Sequence, residues 1–369
     1  MYKTMSRIAL LLLAFSTTVL PAQSSREKRE REREREQEAK EREIERRAER
    51  LAKNIEKTVE ASIDGAMRSV ESALSGLDRH YQGYDSRSQG SIQSSQSRID
   101  TTFAFTKDGV LDLTTFSGDI VVTGWTRQEA RVRAVTERGT RWRFTSTRMT
   151  IEAEGYRGRS GDAQYEITVP EGVRVILSSM NGNLAVRGVK GDAELHTNNG
   201  DVEVTDGVGR VEMVTLSGDA TGLRIRGAVD ATSLNGTVSL TDVQGASVAA
   251  ESTSGDVELT NVVSPDIEAS SVSGEVDFVG PLDPKGRYSF TSHSGSVTMT
   301  IPPSTSARFS VETFNGEVDS DFPFTLQPNR EPRRNGQKLE FNVGAGEARV
   351  TAESFSGGIV IRRATTQRR

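Results

Sequence analysis

One short phrase recurs through most of this 369-residue chain. TSLNGTVSL stands at 232–240, VTLSGDA at 214–220 and ESTSGDVEL at 251–259, each built around an [S/N]-G pair. The glycines of these pairs are Gly118, Gly182, Gly200, Gly218, Gly236, Gly255, Gly274, Gly295, Gly316 and Gly357. From Gly182 to Gly316 the spacings are 18, 18, 18, 19, 19, 21 and 21, and the flanking gaps of 64 and 41 are close to three and two such periods. A fixed period of this size marks a repeat architecture, whose units bury their apolar faces against one another.

The columns are stricter than the period. Three residues before each glycine stands a hydroxyl: Thr197, Thr215, Ser233, Ser252 and Ser271 in the central units. Two residues after it stands an aliphatic side chain, as in Val202, Ala220, Val238, Val257 and Val276. Positions five and seven before the glycine are apolar, whereas polar residues dominate at minus six, minus four and plus three. Period-two alternation on both sides of a turn means two half-buried strands per unit. An antiparallel meander would separate equivalent columns by two strands and leave each column free to vary. A parallel solenoid stacks them at about 4.8 Å, where one residue type can repeat as a ladder.

The expectation is therefore an all-β, parallel β-solenoid (a β-helix), right-handed by the usual preference of parallel crossovers. Thr197, Thr215, Ser233, Ser252 and Ser271 form its structural ladder, and Gly200, Gly218, Gly236, Gly255 and Gly274 share one strained turn. Residues 101–170 are strand-rich but off the column pattern, and read as first coils with a cap. The segment 321–337 reads as a protruding loop, and the arginines after GGIVI as a guard on an exposed last strand.

Ahead of the solenoid the chain changes character. Lys3 and Arg7 precede an apolar run that ends at Leu20-Pro21-Ala22, the layout of a signal peptide over 1–22. Residues 23–77 read as a charged, coiled-coil-like α-helical arm, with an apolar stripe at Leu51, Ile55, Val59, Ile63, Met67, Val70, Leu74 and Leu77. That stripe suits either self-association or docking to an envelope protein, or packing on the chain's own solenoid. A Ser/Gln/Gly-rich linker spans 78–99 and the solenoid 100–369. With the signal removed, no integral membrane span is expected. A net charge of −5 argues against nucleic acid, and zero Cys excludes disulfides and a lipoprotein anchor.

With these columns laid out, the chain resembles the bacterial "putative adhesin" family of β-strand-repeat proteins, a family of unknown function. The resemblance lies in YEITVPEGVRVILSSMNGNLAV (165–186), the SGD and NGD units after it, IPPSTSARFSVETFNGEVDSDFP (301–323) and ESFSGGIVI (353–361). It spans about 101–363 and implies a β-helix at the bacterial envelope or surface, with no catalytic residues to carry over.

The residues themselves assemble little chemistry. His80, His196 and His293 share no metal-site or triad spacing, and His196 falls on an outward strand position. Acids follow the glycine at Asp119, Asp201, Asp219, Asp256, Glu275 and Glu317. Asp201, Asp219 and Asp256 are the candidates for Ca²⁺, and the competing reading has each carboxylate capping its turn. The outward columns at minus six, minus four and plus three hold no Phe, Tyr or Trp, which disfavours a sugar-binding groove. The expected function is a non-catalytic, exported scaffold, adhesion or binding surface, periplasmic or at the cell surface, without a cofactor. A β-helix polysaccharide-active enzyme and an envelope-stress or signalling accessory are the alternatives.

Overall fold

The computed structural model describes residues 97–136, 140–153, 163–323 and 337–364. The signal peptide of 1–22, the arm of 23–77 and the linker up to 96 lie outside the described residues, as does most of the 321–337 loop. The last linker residues do not: Arg98 and Ile99 already pair with Val135 and Ala134 in a strand. Chain handedness aside, the parallel stacking expected from the columns is what the strands show.

The described residues are all-β. β1 (Ser97–Ala104), β2 (Val110–Trp125), β3 (Glu129–Thr136), β4 (Thr140–Phe144), β5 (Arg148–Ala153) and β6 (Ala163–Pro170) make the N-terminal end. Two parallel sheets follow. The first holds β7 (Arg174–Asn181), β9 (Ala193–Asn199), β11 (Val211–Ser217), β13 (Val229–Asn235), β15 (Val248–Ser252), β17 (Asp266–Ser271) and β19 (Arg287–Ser292). The second holds β8 (Leu184–Arg187), β10 (Val202–Thr205), β12 (Ala220–Leu223), β14 (Val238–Thr241), β16 (Val257–Thr260), β18 (Val276–Val279) and β20 (Val297–Ile301). Each strand pairs with its equivalent one repeat away: Val211 with Ala193 and Val229, Val202 with Leu184 and Ala220.

A second corner completes the central coils. Six residues after the glycine, Asp206, Arg224, Asp242 and Asn261 take left-handed backbone with φ between 53° and 56°. Asp and Asn tolerate that conformation; Arg224 does so while its guanidinium grips the Asp206 carboxylate at 2.6 and 2.9 Å. The next residue points inward (Ile225, Val243 and Val262, fully buried), and the one after makes single parallel bridges from Val208 through Arg226 and Gln244 to Val263. The interior is thus filled by the apolar columns of two sheets and this corner.

The two ends depart from a sequential stack. After β20 come β21 (Ala307–Thr313), β22 (Val318–Ser320), β23 (Gln337–Val343), β24 (Ala348–Ser354) and β25 (Ile359–Arg363). The coil β24/β25 inserts between β19/β20 and β21/β22, although it comes last in sequence. At the other end β2 lies between β5/β6 and β7/β8. The first and last coils in sequence are therefore each second from the end in space. Antiparallel strands then cover the outermost coils: β4 on β5, β3 on β6, β1 on β3 and β23 on β21. The gap of 64 thus holds the β5/β6 coil with the covering strands β3 and β4, and the gap of 41 holds the covering strand β23. β25 is not an outermost strand: β20 pairs along all of Ile359–Arg363 and β22 along Ile359–Ile361, and Arg363 lies over the Phe322 ring, 4.9 Å from its centroid.

Candidate binding face

At the glycine turn, three columns act as one device. The ladder hydroxyls reach the glycine carbonyl of the neighbouring coil: Thr197 donates to Gly182 O, Thr215 to Gly200 O, Ser233 to Gly218 O, Ser252 to Gly236 O and Ser271 to Gly255 O, all at 2.8–3.1 Å. Thr313 donates to Gly357 O and Ser354 to Gly295 O, so the device continues through the inserted coil. The carbonyl that accepts the hydroxyl also lies where a side chain on the next glycine would be. A Cβ on Gly218 would sit 2.1 Å from Gly200 O. Ser179 breaks the series, its buried hydroxyl having no hydrogen-bond partner.

The residue after the glycine forms a second ladder. Asp119 Oδ1 accepts from Asn183 N, Asn183 Oδ1 from Asp201 N, Asp201 Oδ1 from Asp219 N, Asp219 Oδ1 from Thr237 N and Asp256 Oδ1 from Glu275 N, each at 2.8–2.9 Å. The carboxylates thus cap the backbone of the next coil, not of their own turn. Asp201, Asp219 and Asp256 do not converge: the Thr237 coil separates the last two, and no group of three His, Asp or Glu among the described residues could hold a metal ion.

These bonds make local predictions. Ser233→Ala should lower stability by about 1–2 kcal/mol, the cost of a buried hydrogen bond whose acceptor is left behind. Asp219→Asn should be nearly neutral, because Asn183 already plays that part in the column, whereas Asp219→Ala should cost about 1 kcal/mol. Urea unfolding of the three variants measures both.

The outer face of the first sheet is different in kind. The minus-six, minus-four and minus-two columns all point outward there, and across the ten coils they contain no Lys or Arg. Minus six carries Asp112, Glu194, Glu212, Asp230 and Glu268. Minus two is apolar for most of its length: Phe116, Met180, Leu216, Leu234 and Val272, then His293, Phe355 and Phe314. The last three rings stack in spatial order, His293 on Phe355 with centroids 4.8 Å apart and Phe355 on Phe314 at 5.0 Å. Stacked in this way, their flat faces are turned to one another and their edges outward. This column is the feature that the sequence reading missed, and its signal was there in the residue just before each [S/N]-G pair.

Minus four corrects an expectation. His196 points outward but is only 4% exposed, and Ser178, Val214 and Thr232 beside it are also buried. Burial holds the His196 imidazole below its ordinary pKa, against the pull of Glu194. It pushes Glu212 and Asp230 up, Glu212 also through the like charges of Asp230 and Glu194. His196 Nδ1 has no hydrogen-bond partner, and its Nε2 lies 3.9 Å from Glu212.

No curated protein is significantly similar to the chain. Among solved structures it resembles a "putative adhesin" from Bacteroides fragilis at 13% identity, covering 74% of this chain and 100% of that one with a TM-score of 0.37. It also resembles a "putative cell adhesion protein" from Clostridium sporogenes (9% identity, 73% and 100% covered, TM-score 0.18). A "putative lipid binding protein" from Parabacteroides distasonis is similarly distant (9% identity, 74% and 99% covered, TM-score 0.37). Such distant likenesses say nothing of what this chain binds. The Toastrack DUF4097 family model, by contrast, matches residues 113–362, from within β2 to within β25 and through both intercalated ends, and the chain belongs to that family.

Proposed function

We propose that this protein is a non-catalytic, exported binding or adhesion scaffold of the bacterial cell envelope. The observation that carries the reading is the minus-two column. It sets apolar side chains, half-buried apart from the exposed Phe116, at the spacing of stacked strands on a frame held by hydrogen bonds at every turn. Apolar groups presented in a line suit contact with an extended partner better than catalysis, which needs polar groups converging on one point. The signal-peptide pattern of 1–22 supports export.

The test has two arms. Purified protein incubated with a panel of polyuronates and glycans should release no new reducing ends or unsaturated products; turnover would make the protein a polysaccharide-active enzyme. In the second arm, cross-linking in the envelope fraction should capture a partner with the parent protein. The capture should fall about tenfold with Leu234→Asp, an unpaired charge set into an apolar contact. Undiminished capture by a normally melting Leu234→Asp protein would remove the minus-two column from the reading.

A further inference from the structure

Several strand arginines face a carboxylate on the neighbouring coil: Arg174 meets Glu194, Arg148 meets Asp112 and Arg224 meets Asp206. One row does not follow this pattern. At minus eight, Arg287 of β19 pairs with Arg349 of β24, and Arg349 with Arg308 of β21. Three arginines therefore occupy consecutive rungs, and they do so only because β24 inserts between β19 and β21. The residues after them, Tyr288, Val350 and Phe309, are buried inward, so all three arginines point out of the first sheet. At about 4.8 Å per rung the row is about 10 Å long.

Like charges directly opposite one another destabilise a sheet, and the protein's own groups offset little of this. Arg287 donates to Asp266 at 3.2 Å, in an ion pair exposed on both sides and therefore weak. Arg308 donates to the neutral Asn342 at 3.3 Å. Arg349, in the middle, makes no side-chain hydrogen bond or ion pair among the described residues, not even with Glu347 two positions before it. Two residues along each strand, on the same outer face and in register, stand the hydroxyls of Ser289, Thr351 and Ser310. The next row along is Thr291, Glu353 and Glu312.

We propose that the arginine row binds phosphate-type oxyanions. A guanidinium presents paired N–H donors that match phosphate oxygens, and an anion seated between rungs removes the repulsion of the stack. The hydroxyl row adds donors from a second side, which suits a tetrahedral oxyanion better than a planar carboxylate. The third row sets the boundary: Glu353 and Glu312 repel a flat anionic surface laid over the whole face. The ligand is therefore a free oxyanion or a thin phosphate-bearing chain running along the row, and not a membrane. The minus-two column lies six residues farther along the strands, about 20 Å away, so this site is separate from the apolar column and goes beyond the proposed function.

The purified full chain would be titrated with inorganic phosphate, long-chain polyphosphate and phosphatidylglycerol vesicles at one fixed ionic strength, because salt screens exposed charges. Polyphosphate should bind, and Arg349→Gln should weaken it about tenfold by removing the central charge-assisted contact. Without ligand the Arg349→Gln protein should melt no lower than the parent, since it relieves like-charge repulsion. Arg349→Lys, which keeps the charge and loses the fork, should restore only part of the affinity. Arg226→Gln removes the same charge from an exposed position outside the row and should leave binding unchanged. Competition by inorganic phosphate at equal phosphate concentration would identify a free oxyanion as the ligand; binding of the polymer without such competition would identify a phosphate-bearing chain. Either supports the site. Three results would overturn it: neither probe binding a normally melting protein, Arg226→Gln costing as much as Arg349→Gln, or vesicles binding through Arg349 where polyphosphate does not. None of these bears on capture through Leu234, so a failure here is distinguishable from a failure of the scaffold reading.

Discussion

Gly218→Ala is expected to destabilise the protein by about 3–5 kcal/mol, among the largest effects open to a one-carbon change. Two costs combine. The residue holds φ at 148°, in the left-handed half of backbone space, and a Cβ would meet the Gly200 carbonyl oxygen at 2.1 Å. That oxygen cannot retreat without giving up its bond from Thr215. Gly188→Ala separates the two costs, because φ there is also positive, at 67°, while the nearest atom a Cβ would meet is the Gly124 carbonyl oxygen, 3.9 Å away. It should cost only about 1–2 kcal/mol, the ordinary left-handed penalty. Equal denaturation midpoints for the two variants would show that close stacking of the turns is not what demands glycine.

Val238→Asp is expected to cost about 4 kcal/mol or more, because it places an unpaired carboxylate in a fully buried aliphatic column. Val238 pairs with Ala220 on one side and Val257 on the other, and neither neighbour offers a hydrogen-bond donor from its side chain. Glu258→Ala, one residue beyond Val257 on the exposed side of β16, should change stability by less than about 0.5 kcal/mol. In a stacked array the damage should also be local. Hydrogen exchange should therefore accelerate first in β12, β14 and β16. Comparable melting losses for the two variants would put the inward and outward columns the wrong way round.

The two sheets were legible because stacking forces like onto like. A Thr215 that must reach a neighbour's carbonyl, and a Gly218 that must admit it, leave a residue-type record in every coil. The order of coils at the ends left no such record. Ser292, Ser354 and Thr313 satisfy the same rung equally well, so nothing in the columns says that Gly357 stacks on Gly295 and Gly316 on Gly357. The second corner was hidden for another reason: its left-handed position accepts Asp206, Arg224, Asp242 or Asn261, which share no single side-chain type. The minus-two column was obscured by Asn198 and Thr253, which interrupt its apolar run. The burial of His196 depends on which groups pack around it in the folded chain, and strand periodicity reports only which way a side chain points.

The inserted last coil has a mechanical consequence. A strand at the open end of a sheet yields to tension by peeling, one hydrogen-bonded pair after another. β25 has no such option, since Val297–Ile301 flank it on one side and Val318–Ser320 on the other. Tension applied beyond Arg363 along the strand loads both ladders together in shear, and β24, gripped by β19 and β21, stands behind it. Among the described residues, β1 at the other end is held by one antiparallel ladder, to β3. A pull between β1 and β25 should therefore strip β1 while the C-terminal coil still holds.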